Sequence, residues 1–138
     1  LSNPYCPEIR RFLIGTAREY DIQARDQAVL ACTEGPRYET PAEIKMFRGL
    51  DCDIIGMTGV PEAVLARELE MCYATLCFVS NMAAGMQQHL TASEVERVAR
   101  ERMPTIQQIL RETIKNLPED RNCSCSRALE DARIQSME

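Results

Sequence analysis

Four stretches of the chain place apolar residues at helical spacing. The predicted helices cover residues 7–20, 41–49, 61–70 and 91–117. Their starts carry local signals, because a proline opens the first helix and both Thr40 with Glu43 and Thr91 with Glu94 have the spacing of a capping box. Pro104 lies inside the last helix and is a candidate kink.

Three shorter apolar runs lack helical spacing and predict buried strands. They are residues 28–32, 53–57 and 72–80. The third run is almost wholly apolar, which is typical of a central strand covered on both faces. Helices alternate with strands, so we predict an α/β fold in which a mixed sheet is flanked by helices and a long helix follows the last strand.

The candidate ligand site lies on the loops that follow the strands. In parallel sheets, ligands bind beyond the carboxyl ends of the strands. We name the first loop (33–40), the second loop (57–60) and the third loop (80–91), each rich in Gly, Pro, Asn or Thr. If the strands run parallel, all three loops meet at one edge.

Composition narrows the class of protein. The chain has 138 residues, enough for one domain, and a formal net charge of −5, which argues against nucleic acid or an anionic membrane as partner. No apolar window approaches the roughly 18–20 residues of a membrane span, and no secretory signal is recognisable, so we expect a cytoplasmic protein. Residues 119–138 are polar and are expected to form a mobile arm.

The chain contains seven cysteines, which we read as reduced thiols because no export signal is present. Those in or beside apolar runs are predicted to behave as small buried hydrophobes: Cys32, Cys52, Cys72 and Cys77. The pair Cys123 and Cys125 in the polar tail allows either a strained disulfide or half of a metal site. Without a second close pair or a histidine cluster, we do not expect a metal.

Three motifs occur in order on the three loops. They read Glu-Gly-Pro-Arg-Tyr-Glu-Thr-Pro-Ala-Glu at 34–43, Gly-Met-Thr-Gly-Val-Pro-Glu at 56–62 and Ser-Asn-Met-Ala-Ala-Gly at 80–85. In these motifs the chain resembles the trimeric purine nucleoside phosphorylases and methylthioadenosine phosphorylases. Residues 1–118 correspond to the carboxy-terminal half of that fold, which implies that the family's Gly-rich phosphate loop lies upstream of Leu1 in a longer protein.

The resemblance implies an enzyme of purine salvage. In the family reaction, inorganic phosphate is a co-substrate that attacks the anomeric carbon of a purine nucleoside and releases the base and a pentose 1-phosphate. No cofactor or metal takes part, and the expected assembly is a homotrimer or a hexamer. The transition state has oxocarbenium character, so the enzyme gains by stabilising the departing purine.

Three residues match the family's base-binding positions. By resemblance, Tyr38 lies against the purine, Glu39 accepts N1–H of a 6-oxopurine, and Asn81 is the catalytic residue that meets N7. Adenine presents a bare lone pair at N1, which opposes the Glu39 carboxylate. Adenine-specific relatives carry Asp where this chain has Asn81, so both positions favour 6-oxopurines.

The remaining site residues match contacts to the sugar and to phosphate. By resemblance, Met57 lines the ribose and Thr58 binds phosphate. The family's histidine for the 5′-hydroxyl falls on Ala92, with Val95 one turn on, while the histidine of this chain, His89, lies three residues earlier. An apolar pocket there would accept a 5′-methylthio group, so we expect methylthioinosine as a substrate beside inosine and guanosine.

Two other functions remain open at this stage. A methylthioadenosine phosphorylase would have to accommodate adenine despite Glu39, for example by protonating that carboxylate. A non-catalytic purine-binding or assembly module is the second, because this chain lacks the family's amino-terminal phosphate groups.

Overall fold

The computed structural model describes residues 1–88, 91–130 and 132. Helices and short strands alternate along most of this length, as the apolar pattern predicts. The elements are α1 (Pro7–Glu19), β1 (Leu30–Cys32), α2 (Pro41–Gly49), β2 (Ile54–Gly56), α3 (Gly59–Glu68), α4 (Ala92–Asn116) and a 3-10 turn (Ser124–Arg127).

The helix starts follow their local signals. Thr40 forms a complete capping box, in which its hydroxyl accepts the Glu43 N–H at 3.3 Å while the Glu43 carboxylate accepts the Thr40 N–H at 2.7 Å. At α4, the hydroxyl of Thr91 accepts the Glu94 N–H at 3.2 Å. The helix continues through Pro104 to Asn116, so this proline does not end it.

Strands β1 and β2 pair in parallel, with Leu30 opposite Ile54 and Cys32 opposite Gly56. The Thr33 N–H continues the ladder by donating to the Gly56 carbonyl at 2.9 Å. Both strands therefore end at the same edge, and the first and second loops leave the sheet there. The α/β class is confirmed, and within the described residues the sheet consists of these two parallel strands.

The predicted central strand at 72–80 is wrong for the described residues, because this segment joins no strand ladder there. A strand requires a hydrogen-bonding neighbour as well as an apolar sequence. From Ala74 to Ser80, positions alternate between half-buried and exposed, so that Leu76 packs against the core while Cys77 and Val79 face outward. The predicted burial of Cys77 is therefore also wrong.

The main core cluster lies between α1 and α4. Leu13 and Ala17 of α1 pack with Ile109 of α4, and partly buried residues surround them: Ile9, Ile22, Ala74 and Leu76. A buried hydrogen bond of 3.1 Å, from the Thr113 hydroxyl to the Thr16 hydroxyl, joins the same two helices. The long helix thus holds the amino-terminal helix and the 72–80 segment together.

The expected mobile arm is also wrong for residues 119–130, which fold back onto the body. The Arg121 guanidinium donates to the Glu70 carbonyl at 3.1 Å, and the Leu129 N–H donates to the Glu70 carboxylate at 3.1 Å. The Asn122 N–H donates to the Glu8 carboxylate at 3.3 Å.

Among the described residues, none of the helices combines the length and the apolar character that a membrane span requires.

Candidate functional site

The first loop positions Glu39 through a side-chain hydrogen bond. The Thr33 hydroxyl, directly after β1, donates to the Glu39 carboxylate at 2.7 Å, and Glu39 is half-buried. A carboxylate oxygen accepts more than one hydrogen bond, so this contact fixes the side chain and leaves acceptor capacity. Glu39 can therefore present an oriented acceptor to a ligand N–H group.

An ion pair fastens the same loop to the start of α2. The Arg37 guanidinium donates to both carboxylate oxygens of Glu43, at 2.9 and 2.8 Å, and also to the Tyr38 carbonyl at 3.1 Å. The hydrogen bond from Arg37, together with those from Thr40, lowers the pKa of Glu43 to about 2, and the same pair raises the pKa of Arg37. Tyr38 remains 54 % exposed, so its ring is accessible to a ligand.

The first and second loops are in direct contact. Gly35 has a φ of +70°, and a Cβ built there would lie 2.9 Å from the Met57 sulfur, so only glycine fits without displacing Met57. Met57 is half-buried beneath this contact. Thr58, the N-cap of α3, is exposed, and its hydroxyl makes no capping bond to the helix. Thr58 is the residue that the family resemblance assigns to phosphate.

The third loop is shaped by Asn81. Its side-chain oxygen accepts the Ala83 N–H at 2.9 Å, which forms an Asx turn, and its amide nitrogen donates to the Ser80 hydroxyl at 2.9 Å. These two bonds fix the orientation of the amide. A second lone pair on the oxygen and a second N–H on the nitrogen remain available for a purine.

Contacts from the third loop reach both α2 and α4. A Cβ built at Gly85, with φ of +79°, would lie 2.9 Å from Cβ of Pro41, the first residue of α2. The Gln87 carboxamide accepts the Met82 N–H at 2.7 Å and donates to the Glu94 carboxylate at 3.4 Å. The third loop therefore lies against the start of α2, which directly follows the first loop and Glu39.

The residues predicted for the 5′ end of the sugar lie in the first turns of α4. Ala92 is the first residue of the helix and is exposed, whereas Val95 is half-buried. His89 lies outside the described residues. The bond between Gln87 and Glu94 ties this turn to the third loop.

Two clefts among the described residues lie apart from the predicted base- and phosphate-contacting residues. A cleft of about 350 Å³ lies between α2 and the third loop and is lined by Pro41, Ile44, Lys45, Arg48, Gly49, Ala84, Gly85 and Met86. A smaller one of about 70 Å³ lies beside α1. Neither of these two clefts is lined by the predicted base- or phosphate-contacting residues, which lie along the adjoining loops.

Sequence reasoning missed the residues that hold the site residues in place. Thr33, Arg37 and Gln87 each fix a loop by a side-chain hydrogen bond. Thr33 follows a strand and stands six residues before Glu39, a spacing with no regular signature. For Arg37 the sequence does hold a signal, because a nearby cation is the natural partner of the capping acid Glu43.

The sequence comparison identifies the class of protein. Residues 1–115 match the sequence model of the Phosphorylase superfamily, so the chain belongs to this family. Among its relatives, a probable 6-oxopurine nucleoside phosphorylase from Dictyoglomus turgidum is 47 % identical over 137 residues, covering 99 % of this chain and 52 % of that protein. A probable S-methyl-5′-thioinosine phosphorylase from Methanopyrus kandleri is 46 % identical over 135 residues, covering 97 % and 53 %.

Solved structures agree on the fold. A methylthioadenosine phosphorylase from an antarctic soil metagenomic library superposes with a TM-score of 0.83 at 31 % identity, covering 94 % of this chain and 47 % of that one. A mutant adenosine/methylthioadenosine phosphorylase from Schistosoma mansoni, in complex with adenine, gives a TM-score of 0.84 at 24 % identity, with 94 % and 53 % covered. The chain thus spans about half the length of these relatives, and the nucleoside phosphorylase fold is confirmed for that half.

Proposed function

We propose that the chain carries the purine- and ribose-binding part of a purine nucleoside phosphorylase that prefers 6-oxopurines. Its substrates are inosine, guanosine and methylthioinosine, with inorganic phosphate as co-substrate and no cofactor or metal in the chemistry. The named relatives from Dictyoglomus turgidum and Methanopyrus kandleri support this class of substrate. We place the reaction in the cytoplasm and in a homotrimeric or hexameric assembly, as the family resemblance implies.

The bond between Thr33 and Glu39 carries the proposal. It orients a half-buried carboxylate on the first loop, near the edge where the first and second loops leave the sheet. Hypoxanthine and guanine offer N1–H to this acceptor, and guanine adds its 2-amino group. Adenine offers only a lone pair at N1, and opposing two acceptors in a desolvated site costs about 1–3 kcal/mol.

Asn81 completes the selection at the other side of the base. As the glycosidic bond breaks, negative charge develops on the purine, and an amide N–H directed at N7 or O6 stabilises that charge. The Asx turn fixes the amide before substrate binds, so less reorganisation is needed during the reaction. Tyr38, accessible on the first loop, supplies an aromatic face for the flat base.

The second loop and α4 serve the rest of the substrate. Thr58 offers an uncommitted hydroxyl at the start of α3, where helix N–H groups favour an anion such as phosphate. Met57 lies beside it and contacts the ribose. Ala92 and Val95 give the 5′ end an apolar wall, which accepts a methylthio group without an unpaired polar atom.

The test compares four nucleosides with phosphate present: inosine, guanosine, methylthioinosine and methylthioadenosine. Free base is measured by chromatography, and purine affinity by calorimetry with hypoxanthine and adenine. We expect turnover and tighter binding for the 6-oxopurines. Preference for methylthioadenosine would instead identify a methylthioadenosine phosphorylase, the activity named for several structural neighbours. Purine binding without turnover by the 138-residue chain would support the non-catalytic module.

A further inference from the structure

Four cysteines from separate parts of the sequence converge at one point. The Sγ atoms of Cys6, Cys72, Cys123 and Cys125 all lie within 4.8 Å of one another, and those of Cys72 and Cys123 are 3.4 Å apart. Four thiolates around a tetrahedral zinc ion, each about 2.3 Å from the metal, lie about 3.8 Å from one another. The observed spacings bracket that value, so small side-chain adjustments suffice to close the site.

The surrounding backbone holds each sulfur in place. Cys6 is the N-cap of α1, and its N–H donates to the Tyr73 carbonyl at 2.7 Å, which brings it beside Cys72. Cys123 is the N-cap of the 3-10 turn, whose second residue is Cys125, so the turn keeps these two cysteines close together.

Hydrogen bonds outside the cluster keep the two halves of the quartet together. The Asn122 N–H donates to Glu8, two residues after Cys6, and the Arg121 guanidinium donates to the Glu70 carbonyl, two residues before Cys72. These bonds set the tail segment against the body on the side of the cluster. The tail that carries Cys123 and Cys125 is thus hydrogen-bonded to segments next to both Cys6 and Cys72.

Burial and donor type point to a structural metal site. Cys6 is 1 % exposed and Cys125 is 5 % exposed, so these two residues are shielded from solvent, while Cys72 and Cys123 are half-buried. Four protein ligands leave no open position, the arrangement of structural rather than catalytic zinc sites, and soft thiolate sulfur selects zinc over Mg²⁺ or Ca²⁺.

We propose that Cys6, Cys72, Cys123 and Cys125 form a tetrathiolate site that binds one zinc ion and fastens the tail to the amino-terminal helix. Binding releases the four thiol protons to solvent and leaves no change in oxidation state. This proposal departs from the sequence-based expectation of no metal, which rested on the lack of a second close cysteine pair or a histidine cluster. The pair exists in space, because Cys6 and Cys72 meet through the backbone contact at Tyr73.

The first test uses the unmodified chain, expressed with zinc and purified without chelator. Elemental analysis is expected to give one zinc per chain, and thiol titration in denaturant with chelator is expected to detect all seven cysteines. Replacing zinc by Co²⁺ is expected to produce the visible bands of a tetrahedral thiolate site. A chain without zinc that has lost two or four thiols contains disulfides instead, which would overturn the proposal, as would the absence of tetrahedral cobalt bands.

Variants then locate the ligands. Cys6→Ser and Cys125→Ser are expected to abolish stoichiometric zinc, whereas Cys52→Ser and Cys77→Ser, at cysteines outside the cluster, are expected to retain it. A strong chelator is expected to lower the Tm of the unmodified chain, and added zinc to restore it. Full zinc content in Cys125→Ser would contradict the assignment.

Discussion

The Thr33 hydroxyl donates a 2.7 Å hydrogen bond to the Glu39 carboxylate across the first loop. Thr33 continues the pairing of β1 with β2, whereas Glu39 stands just before α2, so this bond connects the sheet to the residue proposed to select the purine. In the proposed function, the selecting residue Glu39 is therefore held by a residue that need not touch the base.

Removing that hydroxyl is expected to weaken purine binding. Thr33→Val keeps the shape of the side chain but frees Glu39, and losing a hydrogen bond to a charged group costs about 1.5–3 kcal/mol. We expect at least about a tenfold weaker affinity for hypoxanthine by calorimetry. Thr33→Ser keeps the donor and serves as the control. Equal affinity in Thr33→Val and the unmodified chain would remove this bond from the binding mechanism.

Asn81→Asp is expected to shift selectivity toward 6-aminopurines. The new carboxyl group accepts from the 6-amino group of adenine and, when protonated, donates to N7. It keeps the oxygen that accepts the Ala83 N–H, so the Asx turn is preserved. We expect the ratio of adenine to hypoxanthine affinity to rise about tenfold or more. Unchanged selectivity, with the fold intact by circular dichroism, would exclude Asn81 from base recognition.

Gly35→Ala is expected to separate the first and second loops. The left-handed backbone conformation costs alanine about 1–2 kcal/mol, and its Cβ would lie only 2.9 Å from the Met57 sulfur. Urea unfolding should show destabilisation of about that size. Gly15→Ala is the control, because that position lies inside α1 with nothing within 4 Å and should gain about 0.5–1 kcal/mol. Equal effects of the two substitutions on the free energy of unfolding would contradict the contact between Gly35 and Met57.

The contact between Arg37 and Glu43 is expected to be lost only in strong acid. The folded-state pKa of Glu43 is lowered from 4.5 to about 2, chiefly by the hydrogen bond from Arg37. A carboxyl group whose pKa is lower in the folded state stabilises the fold at pH values above its unfolded-state pKa. That stabilisation is lost as the pH falls from about 4.5 to about 2. NMR titration of Glu43 checks this value.

Two variants test the cause of that shift. Arg37→Gln should raise the Glu43 pKa toward its ordinary value, because the first cause of the depression is removed. Lys115→Gln removes another exposed ion pair, with Glu112, and should leave the Glu43 pKa unchanged. An unchanged pKa in Arg37→Gln would assign the depression to the capping box at Thr40 alone.

The buried hydroxyl pair between α1 and α4 is expected to show strong coupling. Thr113→Val leaves the Thr16 hydroxyl without this partner, at a cost of about 1–3 kcal/mol in chemical unfolding. Replacing both threonines by valine should recover most of the loss, since no polar group is then stranded. If the free energy of unfolding lost in the double variant equals the sum of the losses in the two single variants, the bond does not couple the helices.

Local signals in the sequence predicted the helices well. The start of α2 depends on Thr40, Pro41 and Glu43, which lie within four residues and interact in any chain that turns there. The segment 72–80 shows the opposite case. Its apolar pattern indicated a strand, yet a ladder also needs a partner, and the described residues supply none.

The candidate site likewise has residues that the sequence predicted and supporting contacts that only the structure showed. Glu39 and Asn81 were predicted from the motifs around them, and their support by Thr33 and by the Asx turn emerged only from the folded loops. Among the cysteines, the sequence found the pair at 123 and 125 and missed Cys6 and Cys72, which come from distant positions.

The sequence by itself determined the family, the alternation of helices and strands, and the loops proposed to carry the chemistry, because capping boxes, apolar periodicity and short motifs act between near neighbours. Only the tertiary structure decided which loops touch, that the tail folds back, and that four cysteines meet. These features join residues as far apart as Glu8 and Asn122, whose contact depends on how every intervening element packs.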